Sequence, residues 1–78
     1  MNTEHLIQMA NQIGAYFSAE PDPAEARAEI ADHIARFWEK RMKTSLYASF
    51  DQGETHALTA LVAETLAEHR ERILGKTA

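Results

Sequence analysis

Ile30-Ala31-Asp32-His33-Ile34-Ala35-Arg36-Phe37-Trp38-Glu39-Lys40-Arg41-Met42 is the stretch around which the chain is organised. It carries the single Trp, one of the three Phe, and the densest run of positive charge. Ile30, Ile34 and Phe37 follow at i, i+4 and i+7, which places them on one face of a helix. Trp38 lies one residue on, about 100° further round the axis, and cannot share that face fully. Two adjacent large aromatics in so short a chain serve two surfaces. This spacing assigns Phe37 to the core and Trp38 to a half-open shoulder.

Upstream, a first helix is expected from Thr3, as N-cap, to about Ser18. Leu6, Met9, Ala10, Ile13 and Phe17 form its core stripe. A narrower face carries Ile7, Asn11, Gly14 and Ser18. Gly14 costs about 1 kcal/mol relative to Ala inside a helix, so it implies close approach by another backbone, either of a partner or of a helix in the same domain. Pro21 ends this helix. Asp22 is a good N-cap, Pro23 suits the first helical position, and Glu25 falls at N3. The short connection predicts antiparallel packing of helices one and two.

Helix two is expected from Pro23 to about Trp38, with Ala26, Ile30, Ile34 and Phe37 inward. Arg27, Glu29, Asp32 and Arg36 make its solvated side, with Asp32 and Arg36 an i, i+4 pair. Arg36, Lys40, Arg41 and Lys43 gather four of the eight cations within eight residues. Two readings stay open for them: charges favoured by the dipole of a helix C-terminus, or a patch that meets an acidic partner. Met42, Leu46 and Phe50 continue the helical pattern, with the Tyr47 hydroxyl placed at a wet boundary. One straight helix from Pro23 to Phe50 would measure about 40 Å, too long for the rest of the chain to cover, so a break is expected near Trp38–Lys40.

Gly53 is the natural left-handed residue to close the next helix, and Thr55 is a candidate cap for the last. Leu58, Leu61, Val62, Thr65, Leu66, His69 and Ile73 trace one final amphipathic stripe. Glu68 and Arg72 pair on its outer side. Residues 75–78 read as a frayed tail. The whole is an all-α, single-domain bundle of three to four short helices spanning residues 1–78.

Composition narrows the functional classes. At 78 residues with no cysteine, disulfides and thiolate metal sites are excluded. A core this small supplies about 3–5 kcal/mol unaided. The uncharged runs fall far short of the ~20 residues of a membrane span, and Met1-Asn2-Thr3-Glu4-His5 has no basic segment before an apolar one, so no signal peptide is expected. A net charge of −4 lacks the basic footprint of a nucleic-acid binder.

The four histidines, His5, His33, His56 and His69, form no recognised metal motif. His33 and His69 are expected to edge the core, His5 and His56 to sit in water. There is no glycine-rich phosphate loop and no nucleophile motif around Ser18, Ser45 or Ser49. The expected catalytic, cofactor-binding and metal-ligating residues are therefore none.

Two blocks carry a family likeness. Met9-Ala10-Asn11-Gln12-Ile13-Gly14-Ala15-Tyr16-Phe17 followed by Pro21-Asp22-Pro23, and Ile30-Ala31-Asp32-His33-Ile34 with Arg36-Phe37-Trp38 and Arg41-Met42, resemble the delta subunit of soluble NAD-dependent formate dehydrogenase. The likeness covers roughly residues 5–65. The family commonly shows Asp-Pro between the Trp and the Arg-Met, where this chain has Glu39-Lys40. The resemblance implies a non-catalytic accessory subunit or assembly factor of a cytoplasmic complex. Its partner would be the large alpha subunit, which carries a bis-pterin molybdenum or tungsten cofactor and Fe-S clusters. Further subunits with FMN and Fe-S clusters would pass electrons to NAD. No cofactor is implied for this chain.

The expected docking surface joins Ile7, Asn11 and Gly14 to Trp38, Arg41 and Met42, because Gly14 permits close approach and Trp and Arg are common interface anchors. Such a surface is also free to pair with a second copy when the partner is absent. Another class of reading is a free-standing helical interaction or regulatory protein, alone or as a homodimer, unrelated to oxidoreductases. A small metal-binding protein is a third.

Overall fold

The computed structural model describes residues 2–53 and 57–75. Among them lie five helices and no strand: α1 (Thr3–Phe17), α2 (Pro23–Phe37), α3 (Lys40–Asp51), α4 (Ala60–Glu68) and α5 (Arg70–Leu74). The body measures 32 × 29 × 20 Å, shorter than one continuous helix over Pro23–Phe50 would need.

Local chemistry sets most of the boundaries. Asn2, rather than Thr3, caps α1, its Oδ1 accepting the Glu4 backbone N–H at 2.9 Å. Asp22 caps α2 and Pro23 opens it, as the sequence predicts. Gly53 takes φ +83° after α3, a conformation that glycine enters without a Cβ penalty. The expected cap Thr55 lies outside the described residues, as do His56 and 76–78. Thr59 caps α4 with its hydroxyl on the Val62 N–H.

α2 packs against α1, α4 and α5, and α1 also touches α3 and α4. The core centres on Ile30, Ala31 and Ile34 of α2, with Leu6, Ala10, Leu46, Val62, Leu66 and Ile73 closing over them. Phe17, the last residue of α1, meets His33, with ring centroids 6.1 Å apart. The end of α1 therefore reaches the second half of α2.

Three expectations change. The final stripe is two helices, because His69 leaves helical geometry at φ −109°, ψ 30°. Consequently Glu68 pairs with Arg27 rather than Arg72, and Arg72 reaches Asp32. The Tyr47 hydroxyl is not wet: it is buried and donates to the Leu66 carbonyl at 2.8 Å. Most consequentially, the two adjacent aromatics exchange places. Phe37 is 71% exposed and Trp38 only 6%.

Candidate docking surface

The exchange has a backbone cause. α2 ends at Phe37, and Trp38 adopts φ −89°, ψ 140°. Its side chain is released from the 100° step that helical spacing imposes, and it joins the buried core cluster. Phe37 is left outside. The break falls here without a proline, and the corner is held from the other side: Lys43 Nζ donates to the Ala35 carbonyl at 2.8 Å, satisfying an acceptor in the last turn of α2.

The six residues expected at an interface do not form one surface. Ile7 and Asn11 line a depression with Asn2, Glu4, Ser49 and Ala57. Trp38 lines a different groove between α1 and α2, with Met9, Ile13, Phe17 and His33. Ile7, Gly14 and Trp38 are buried within the chain itself. A Cβ built on Gly14 would meet Val62 Cγ2 at 2.6 Å, so its close approach is to α4 of the same fold. Asn11 is turned to internal use: its Nδ2 donates to the Ala57 carbonyl at 2.8 Å, and its Oδ1 accepts the Thr59 N–H at 3.1 Å. Arg41 is exposed and Met42 half-buried.

Another surface emerges that periodicity missed. Among the described residues, Tyr16, 77% exposed, and Phe37 are the large hydrophobic side chains left in solvent. They end a continuous file of rings. Tyr16 and Phe17 meet edge-on at 4.9 Å, Phe17 and His33 at 6.1 Å, and His33 and Phe37 at 4.9 Å. The file borders the α1–α2 groove of about 310 Å³. Tyr16 lies 180° round α1 from Ile7 at nine helical steps, so this face is not the one first expected. The signal available in the sequence was Tyr16 itself, an aromatic off the core stripe of α1.

The cations beside Phe37 also change meaning. Lys40 and Arg41 stand in the first turn of α3, not the last turn of α2. A helix N-terminus carries positive partial charge and disfavours cations there. No acidic residue occupies that turn, and Glu39 makes no side-chain cap. Among the described residues Lys40 and Arg41 have no ion pair, while Arg36 contacts Asp32 at 3.4 Å.

Elsewhere the chemistry is structural. Arg70 forms a two-pronged pair with Asp51, its Nη1 at 2.8 Å, and lies over the Tyr47 ring. The hydrogen bond from Arg70 holds the Asp51 carboxyl below its ordinary range. Burial pushes the Tyr47 phenol well above its ordinary value. His33 and His69 are half-buried, and His69 Nε2 lies 3.4 Å from Glu68 Oε1 without hydrogen-bond geometry. Among the described residues no group of three or more His, Asp or Glu side chains is arranged to hold a metal ion. No helix there is long and apolar enough to cross a membrane.

Residues 5–66 match a protein-family model described as the NADH-dependent formate dehydrogenase delta subunit, FdsD. No curated protein matches the chain, and no solved structure does.

Proposed function

Because this chain belongs to the family of NADH-dependent formate dehydrogenase delta subunits, we propose that it acts as a non-catalytic accessory subunit or assembly factor of a cytoplasmic NAD-dependent formate dehydrogenase, docked on the large alpha subunit. The observation that supports this reading is the exposed file of rings from Tyr16 to Phe37. A chain of 78 residues has few large apolar side chains to spare, and leaving two of them in water gives up burial worth about 2 kcal/mol each. Docking would recover it. Arg41 and Met42 follow Phe37 closely in sequence and stay in the proposed surface. Ile7, Asn11, Gly14 and Trp38 serve the packing of the fold itself.

In this reading formate oxidation, the bis-pterin molybdenum or tungsten centre, the Fe-S clusters, FMN and NAD all belong to partner subunits, and this chain binds neither cofactor nor nucleic acid. The test is a tagged pull-down from the native cytoplasm with mass spectrometry of what is retained. A large molybdopterin-type subunit in fixed stoichiometry is expected. Recovery of the chain alone, or of nucleic acid, would overturn the reading in favour of a free-standing helical protein.

A further inference from the structure

We infer that the corner between α2 and α3 receives an acidic segment of the partner, which lays an apolar side chain against Phe37 and sets carboxylates against Lys40 and Arg41. The identity of the partner rests on the accessory-subunit reading; the chemistry of its segment rests on this surface.

Charge argues first. The chain as a whole carries −4. Arg36, Lys40, Arg41 and Lys43 against Glu39 leave residues 36–43 at +3. Lys43 is engaged at the Ala35 carbonyl, and Arg36 shares Asp32 with Arg72. Lys40 and Arg41 have neither role. Placed in the first turn of α3, they oppose the helix dipole, so the isolated fold gains nothing from them. A carboxylate-bearing partner would convert that cost into attraction and would steer association.

Shape argues second. Phe37 lies three residues before Lys40, so their Cα atoms are within about 11 Å, the reach of one short peptide. The ring file gives that peptide an apolar floor, with His33 between Phe17 and Phe37. The adjoining groove, about 310 Å³, is at the small end of the range for ligand sites. It suits one or two inserted side chains rather than a cofactor. An aromatic anchor with a charged rim is the usual anatomy of a protein interface core.

The test uses the full chain and the purified large subunit. Binding is measured at low and high salt for wild type, Phe37→Ala and the double variant Lys40→Glu/Arg41→Glu, with the melting temperature of each free chain. The double reversal is expected to weaken binding by ~10-fold or more at low salt and to flatten its salt dependence. It is also expected to raise the melting temperature, because glutamates favour a helix N-terminus. A merely structural role would move both readouts the same way. Phe37→Ala is expected to weaken binding at both salt concentrations.

Unchanged affinity and salt dependence in the double variant would overturn the acidic-segment inference and leave the accessory-subunit reading standing. Absence of binding by the wild type would overturn that reading itself. Self-association of the wild type, lost in Phe37→Ala, without capture of the large subunit would assign the surface to a second copy and contradict the inference. Binding of a DNA duplex through Lys40 and Arg41 would contradict it equally.

Discussion

Gly14 and Val62 form the tightest helix-to-helix approach that the glycines reveal: a Cβ on Gly14 would stand 2.6 Å from the Val62 Cγ2. Val62 is fully buried, and a β-branched side chain in a helix has little rotamer freedom with which to yield. Gly14→Ala gains about 1 kcal/mol of helix propensity and forces an overlap costing about 1–3 kcal/mol. A net loss of up to about 2 kcal/mol is expected in urea unfolding. Val62→Ala in the same background should recover part of it, with a coupling of about 1 kcal/mol in the double-mutant cycle. Additive losses would show that the two helices have room to part.

Tyr47 makes stability fall at alkaline pH. Its phenol is buried beneath Arg70 and donates to the Leu66 carbonyl, and burial raises its folded pKa above the ordinary 10.0. A group raised in the fold contributes stability that is present below the unfolded pKa and lost as pH rises above it. Unfolding free energy should therefore decline from about pH 10 upward. Tyr47→Phe should remove that decline while costing about 1 kcal/mol at neutral pH for the lost hydrogen bond. Denaturant titrations at several pH values, with phenolate absorbance as the probe, give both results.

Asp51 acts at the acid end with the opposite sign. Its pairing with Arg70 joins the last residue of α3 to the first of α5 and lowers the carboxyl pKa, first through the hydrogen bond. The stability it contributes is present above the unfolded value of 3.8 and is lost as pH falls through the lower folded value. Asp51→Asn should match wild type in strongly acidic solution and be the less stable of the two at neutral pH. The pair is exposed, so the difference should shrink in high salt.

Phe37 and Trp38 should respond to truncation in opposite ways. Trp38 is buried in the core cluster, where Trp→Ala costs about 3–5 kcal/mol. That is comparable with all the stability a chain of this size commands, so Trp38→Ala should leave the isolated chain largely unfolded by circular dichroism. Phe37→Ala removes an exposed ring, and its melting temperature should stay within a few degrees of wild type. This reverses the expectation from helical spacing, which put Phe37 in the core and Trp38 on a half-open shoulder at the docking surface.

That reversal marks how far the sequence could be read. The all-α class was legible because each main helix carries its own punctuation: Asp22-Pro23 at the start of α2 and Gly53 after α3 both act as read. Ile30 and Ile34 were placed correctly for the same reason, since they lie inside regular helix where the 3.6-residue period holds. Phe37 and Trp38 straddle the helix end, and there one ψ change decides which ring goes inward. Periodicity has no information about it. The bend at His69 was likewise invisible, having neither Gly nor Pro to announce it. Gly14 signalled a close approach, but only the fold reveals that Val62 makes it. The family likeness, read from the two blocks around Gly14 and Trp38, agrees with the family match over residues 5–66.

The most direct measurement is the affinity of the Phe37→Ala chain for the purified large subunit of formate dehydrogenase, compared with wild type and with both chains verified as folded. Loss of an aromatic anchor at an interface centre costs about 2 kcal/mol or more, so a weakening of ~30-fold is expected with the melting temperature nearly unmoved. Wild-type affinity in a folded Phe37→Ala chain would contradict the account, since the exposed ring would then have no part in docking.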